Sequence, residues 1–178
     1  MATTTELSCT CGAFALELTG EPFITTECHC TSCRTAGAKL EALPLSRPMR
    51  SENLGTPFVL YRKDRVRFLR GAENLAEFRL NEKTATRRVV TSCCKTPVFV
   101  EFKGGHWLSL YASLWPEGAS PQPTIRTMVG DRPESAPLPD DLPSGKLVTA
   151  KFFAKLLGVW IAMGFKAPEI EIAQKLEI

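Results

Sequence analysis

The stretch Glu27-Cys28-His29-Cys30-Thr31-Ser32-Cys33-Arg34 puts three thiols within six residues. A cysteine kept only as a small buried hydrophobe needs no second cysteine beside it. A soft divalent metal needs several thiolates converging on one point, and a turn with Cys-x-Cys-x-x-Cys spacing delivers them. Zinc is the first metal this pattern suggests. The other four cysteines fall into two further tight groups, Cys9/Cys11 and Cys93/Cys94, so all seven are clustered. The pair Cys30 and Cys33 also has the spacing of a dithiol redox motif. Such motifs sit between a strand and a helix of an α/β unit, and no α/β pattern surrounds this one.

The elements that must position these thiols belong to a chain of 178 residues, enough to bury a core without covalent staples. With 44% hydrophobic and 23% charged residues, the composition is that of a globular protein, and a net charge of +3 is too mild to specify a partner. The first six residues, Met-Ala-Thr-Thr-Thr-Glu, lack the basic and apolar regions of a secretory signal, so a reducing cytoplasmic setting is expected. There an odd number of cysteines reads as metal thiolates and not as a disulfide framework.

Leu7 to Leu18 reads as a strand entered through a tight turn carrying Cys9 and Cys11. In a strand, residues i and i+2 share a face, so Cys-x-Cys offers two thiolates to one ion. Gly12 gives the turn its freedom. A second strand from Phe23 to Glu27 runs into the central cluster, and Thr35 to Leu43 is a short helix or irregular. From Pro57 to Leu114 six short apolar runs are separated by turn residues, the pattern of an antiparallel sheet. Gly104-Gly105 marks a hairpin, and Cys93-Cys94 lies in the loop before the strand that Pro97 opens. Residues 116–143 hold seven of the thirteen prolines and read as a connector, with Thr124 to Val129 able to add an edge strand. Leu147 to Phe165 is helical and apolar around most of its circumference. It therefore needs cover from the domain or from a second copy, and its uninterrupted apolar run is too short for a membrane span.

Three motifs now line up: Cys9-Thr10-Cys11-Gly12, Cys28-His29-Cys30-Thr31-Ser32-Cys33-Arg34 and Cys94-Lys95-Thr96-Pro97-Val98-Phe99. In order and spacing they resemble the glutathione-dependent formaldehyde-activating enzyme family, which includes centromere protein V, over about residues 7–115. The third motif departs from the family's Cys-x-x-Cys-Gly-[Ser/Thr]-Pro: Thr91 stands where the first cysteine belongs and Lys95 where the glycine belongs, and Cys93 is extra.

The resemblance implies a mainly β fold of the β-tent kind, built from short antiparallel strands and binding two zinc ions. Cys9, Cys11, Cys94 and, by replacement, Cys93 would hold a structural zinc. Cys28, Cys30 and Cys33 would hold a catalytic zinc open at its fourth position. It further implies a carbon–sulfur lyase activity in which a thiol such as glutathione, held as thiolate, adds reversibly to an aldehyde such as formaldehyde. Closed four-ligand sites are structural and open three-ligand sites catalytic as a physical rule, which agrees with that division.

His29 lies between two ligands and cannot easily turn onto the same ion, so it is expected to support the site or face solvent; His106 is a weaker candidate. Three thiolates around zinc leave a net negative charge that calls for a nearby cation. Arg34 is the best placed by sequence, and it is also a candidate contact for a substrate carboxylate.

The domain layout expected is a zinc-binding β domain over 1–115, a Pro-rich connector over 116–146 and a C-terminal helical extension over 147–178. The rival reading is a non-catalytic zinc module for nucleic acid or protein, suggested by nine Lys/Arg against four Asp/Glu in residues 57–88. The solvated face of a sheet explains that excess equally well. The small-molecule thiol is therefore the expected partner, nucleic acid and membrane are not, and the C-terminal helix offers a surface for a homodimer.

Overall fold

The computed structural model describes residues 3–44, 48–133 and 138–178. Its first two strands, β1 (Thr4–Ser8) and β2 (Ala15–Thr19), form a hairpin whose turn holds Cys9 to Gly12. Then come β3 (Ile24–Cys28) and α1 (Thr31–Glu41), followed by β4 (Thr56–Arg62), β5 (Val66–Arg70), β6 (Leu75–Phe78), β7 (Thr86–Thr91), β8 (Pro97–Phe102) and β9 (Trp107–Tyr111). After these lie β10 (Ile125–Thr127), α2 (Lys146–Ala162) and β11 (Gln174–Lys175). The architecture is mainly β, as expected, with the described strands in two sheets: a small one in the order β1-β2-β5 and a large one in the order β10-β3-β4-β9-β8-β7-β6-β11.

Alternation along the central strands builds two apolar layers on opposite faces of the large sheet. Val59 and Tyr61 of β4, Val89 of β7 and Leu108 and Leu110 of β9 meet Leu7, Phe14, Leu16 and Leu18 of the small sheet. Their neighbours Phe58, Leu60, Val90, Val100 and Tyr111 point the other way, where Leu40 of α1 and Leu156 of α2 cover them. Both helices, and the Cys28-to-Cys33 stretch, therefore lie on one side of the large sheet. The β8–β9 hairpin turns at Gly104, where φ is +72°.

Several expectations are refined. Cys9 and Cys11 sit in the β1–β2 turn and not in a strand, with Gly12 N–H donating to Cys9 O at 2.9 Å and Gly12 at φ +75°. The helix expected from Thr35 begins at Thr31, directly after Cys30. Within the Pro-rich connector, β10 pairs in parallel with β3, setting Thr127 opposite Cys28. The C-terminal extension is helical only to Ala162. Beyond it β11 pairs with β6, Lys63 Nζ donates to Pro168 O at 2.8 Å and Arg87 Nη2 donates to Ile170 O. The apolar circumference of α2 is covered on one side alone: Leu156 is buried, while Phe153, Leu157 and Ile161 are exposed. No described helix is long and apolar enough to cross a membrane.

Candidate metal centres

The central cluster is assembled by a strand end and a helix start. β3 delivers Cys28, and Cys30 is the N-cap of α1, its Sγ accepting the Cys33 N–H at 3.3 Å. The three Sγ atoms lie within 4.8 Å of one another. Capping by a sulfur in place of the usual hydroxyl or carboxylate turns the Cys33 N–H and the positive end of the helix dipole toward the thiols. Cys30, taking hydrogen bonds from Cys28 and Cys33, is held down at about 2. The same contacts push Cys28 up to about 11 and Cys33 well above the ordinary thiol value. One thiolate is thus stable in this cluster unaided, and three require a cation among them. Cys30 and Cys33 do sit between a strand and a helix, as a redox dithiol would. The third thiol at the same point, and the mainly antiparallel sheet around it, are what distinguish this cluster from one.

The buried cation beside the cluster is Arg88, which sequence reasoning missed. It is 1% exposed, its Nη2 donates to Ser32 Oγ at 2.5 Å and to Ser32 O at 3.2 Å, and its charge lowers Cys30. Arg88 shares strand parity with the buried Val90, and that alternation was the available signal. Arg34, the candidate named from the sequence, makes contacts of its own. Its Nε donates to His29 O at 3.2 Å, and its Nη2 donates to Thr31 Oγ1 and Asp131 O, so it ties the cysteine turn to the segment after β10.

His29 is fully buried and supports the cluster from behind. Its Nε2 lies 3.1 Å from Glu27 Oε2, which also receives Arg126 Nε at 2.6 Å and Asn53 Nδ2 at 3.0 Å. Burial alone would raise the Glu27 carboxyl, but hydrogen bonds from His29, Arg126, Ser51 and Asn53 outweigh it and hold it down to about 2. A Cβ on Gly55 would stand 2.5 Å from Glu27 Cγ and 2.7 Å from His29 Cε1, so this network demands glycine there. His106 is elsewhere, stacked on Trp160 under α2 with ring centroids 5.8 Å apart.

A cavity of about 550 Å³ opens beside the three thiols, walled by β3, β4, β7, β8, β9 and α2. It gives this cluster space next to the sulfur atoms.

That second cluster joins the β1–β2 turn to the loop between β7 and β8. Cys9, Cys11, Cys93 and Cys94 have all four Sγ atoms within 4.8 Å of one another. Cys9 and Cys11 are 3.6 Å apart, Cys9 and Cys93 3.9 Å, Cys11 and Cys93 3.3 Å and Cys93 and Cys94 3.9 Å. Tetrahedral zinc with Zn–S bonds of 2.3 Å needs sulfurs about 3.8 Å apart, so this donor set fits that ion. Thr91 takes no place among the thiols. Its Oγ1 accepts the Thr96 N–H at 3.1 Å and contacts Cys94 Sγ at 3.3 Å. Burial would raise Cys94, but the Thr91 and Thr96 hydroxyls outweigh it and hold the thiol down at about 5. Lys95, where the resemblance called for glycine, has φ +58°.

The sequence profile of the glutathione-dependent formaldehyde-activating enzyme family matches residues 4–110, more than half of the chain and inclusive of all seven cysteines. No curated protein matches the chain. Among solved structures, a Rhodobacter sphaeroides protein from a structural-genomics programme is 19% identical with a TM-score of 0.46, the match covering 66% of this chain and 92% of that one.

Proposed function

We propose that this chain, which belongs to the glutathione-dependent formaldehyde-activating enzyme family, is a zinc-dependent carbon–sulfur lyase. It would join a glutathione-like thiol to an aldehyde, and release them again, at the Cys28/Cys30/Cys33 centre. The observation that carries the reading is the contrast between the two centres: four thiols converge in one, and three, bordering a cavity, converge in the other. Zinc bound to three thiolates and open at the fourth position stabilises an incoming thiol in its nucleophilic, deprotonated form.

The protein's own groups supply the rest. The Cys33 N–H and the start of α1 stabilise negative charge on Cys30, and the Arg88 guanidinium offsets the charge that accumulates as further thiolates gather. Glu27, His29 and Arg126 fix the backbone between Cys28 and Cys30, and His29 N–H donates to Thr127 O at 3.0 Å. In the reaction the thiolate sulfur bonds to the carbonyl carbon while the C=O π bond opens onto oxygen, which takes a proton. The reverse breaks the carbon–sulfur bond and returns both partners. Cys9, Cys11, Cys93 and Cys94 would serve structure by holding the second zinc.

The nucleic-acid alternative loses its main support in the ion pairs. Of the basic residues in 57–88, Arg62, Lys63, Arg67, Arg70, Arg79 and Arg87 each pair with a carboxylate, leaving no broad unpaired basic face in that stretch. The test is exchange spectroscopy on formaldehyde and glutathione with zinc-loaded protein, alongside a thiol-binding titration. Accelerated exchange that zinc removal abolishes is the expected result. Exchange at the uncatalysed rate, with no thiol bound, sinks the enzyme reading.

A further inference from the structure

The cavity beside the three thiols is poorly matched to the pair of substrates named by the family. Glutathione carries two carboxylates and an ammonium, and formaldehyde is a single carbon. The walls are dominated by Phe58, Phe102, Trp107, Phe152, Phe153 and Leu156. The charged side chains lining it are Arg88 and Asp131. Arg88 gives its Nη2 to Ser32, and its buried Nη1 is left without a partner, so it could answer one carboxylate at most. Asp131 carries the wrong sign. The second of glutathione's two carboxylates would lose its water in such a space without a cationic partner, a large penalty.

The size agrees with the chemistry. About 550 Å³ lies in the range of pockets that enclose whole organic ligands, room for a sizeable substituent beside the reacting sulfur and carbon. The rim is apolar as well, since Phe102, Met128 and Phe153 are exposed there at 43%, 38% and 56%. Exposed large hydrophobics have a cost in solution unless something apolar crosses them. Much of this wall comes from Met128, Phe152, Phe153 and Leu156, all beyond the residues 4–110 that match the family. The apolar enclosure is therefore built by a segment of this chain outside the matched core.

We infer that the thiol–aldehyde adduct handled at the three-thiol centre carries a bulky apolar group, an alkyl chain or aromatic ring, seated between α2 and the β4–β9–β8 face. This rests on the carbon–sulfur reading above and narrows the substrates of that same site to adducts with an apolar substituent on one half. The apolar group can enter on either half of the adduct. The bond made is the same in both cases: sulfur to carbonyl carbon, with the oxygen protonated.

The experiment uses the zinc-loaded full chain in two arms. One pairs glutathione with aldehydes from formaldehyde through butanal to octanal; the other pairs formaldehyde with glutathione, 1-butanethiol and 1-octanethiol. Calorimetric titration with 1-butanol and 1-octanol, which can neither add nor be added to, reads cavity occupancy separately from turnover. The expected result is a kcat/KM that rises in one arm by roughly three- to fourfold per buried methylene before levelling off. The arm that rises names the half bearing the apolar group, and 1-octanol binds more tightly than 1-butanol.

Phe153→Asp, a change at an exposed wall position that spares the buried core, should lower the long-chain rate tenfold or more. Trp107→Ala is the second variant, from the opposite wall, and should do the same. Brisk turnover of glutathione with formaldehyde and no gain with chain length in either arm overturns this inference while leaving the lyase reading intact. Length-dependent alcohol binding with no turnover in either arm does the reverse to the lyase reading, and removes the adduct with it.

Discussion

Cys93 Sγ lies 3.3 Å from Cys11 Sγ although the two residues are 82 apart in the chain. Cys93 thus stands where the family pattern has a cysteine two positions earlier, at Thr91. If Cys93 completes the four-thiol centre, Cys93→Ser should reduce bound zinc from two ions per chain to one. Adding Thr91→Cys to that variant should restore the second ion, because Thr91 Oγ1 is already 3.3 Å from Cys94 Sγ. Elemental analysis after dialysis checks both. Two zinc ions retained by the single variant would mean that three thiols and some other donor suffice.

Lys95 makes the same loop informative for stability. Its φ of +58° is a conformation that costs a residue with a Cβ about 1–2 kcal/mol, whereas glycine adopts it freely. Lys95→Gly also forfeits the hydrogen bond from Lys95 Nζ to Ser92 O and adds freedom to the unfolded chain. The net gain should be about 0.5–1 kcal/mol, a rise in Tm of about 1–4 °C in the zinc-loaded protein. A fall in Tm would show that the lysine contact outweighs the backbone strain.

What was legible beforehand divides along physical lines. The runs that became β4 through β9 were readable because their apolar residues alternate and their turns carry Gly, Asn and Asp. The strand β1 was not: of Thr4–Ser8 only Leu7 is buried, so an edge strand of polar residues had no pattern to show. The first turn of α1 was hidden because Thr31 to Arg34 read as part of a metal loop, and its N-cap is a cysteine, outside the usual capping set. The cysteine groups were legible as groups, since their spacing is local. Their supporting residues were not, because Glu27 meets Arg126 across 99 positions and Arg88 meets Ser32 across 56. Those meetings depend on strand register, and no local pattern records it.

The C-terminal tail is held to the sheet by a charge network whose removal should be costly. Glu101 pairs with Lys63, their side chains 7% and 3% exposed, and accepts Arg87 Nε at 2.6 Å. The same two cations hold Pro168 O and Ile170 O. Glu101→Gln leaves Lys63 buried without its counter-charge, a loss of about 3–5 kcal/mol. Hydrogen exchange should quicken at Leu176, whose N–H donates to Glu77 O at 2.8 Å. Glu77 adds a pH dependence. Burial would raise its carboxyl, but Arg79 and Arg87 outweigh it and hold it below the ordinary 4.5. Its contribution is therefore fully present above that value and lost as pH falls through the lower folded one, so Glu77→Gln should flatten the acid limb of the stability curve. Wild-type Tm and tail exchange in Glu101→Gln would remove the network from any account of stability.

Cys33→Ser and Cys94→Ser should fail in different ways. Cys94 belongs to the centre that fastens the β7–β8 loop to the β1–β2 turn, joining the large sheet to the small one across more than eighty residues. Opening that closure forfeits metal-binding energy that is also folding energy, so Cys94→Ser should lower Tm sharply and increase urea sensitivity. Cys33 belongs to a centre resting on β3 and α1, which stay joined by backbone while the Glu27–His29–Arg126 network still holds β3 and the turn after it to β10. Its loss should release one zinc and abolish thiol binding while Tm changes by only a few degrees. Both variants put a hydroxyl where a thiol stood, so the two substitutions are chemically comparable and the contrast between them is the measurement. Thermal unfolding, zinc content and glutathione binding measured side by side decide it. An unfolded Cys33 variant beside a stable Cys94 variant would mean that the structural and reactive centres have been assigned the wrong way round.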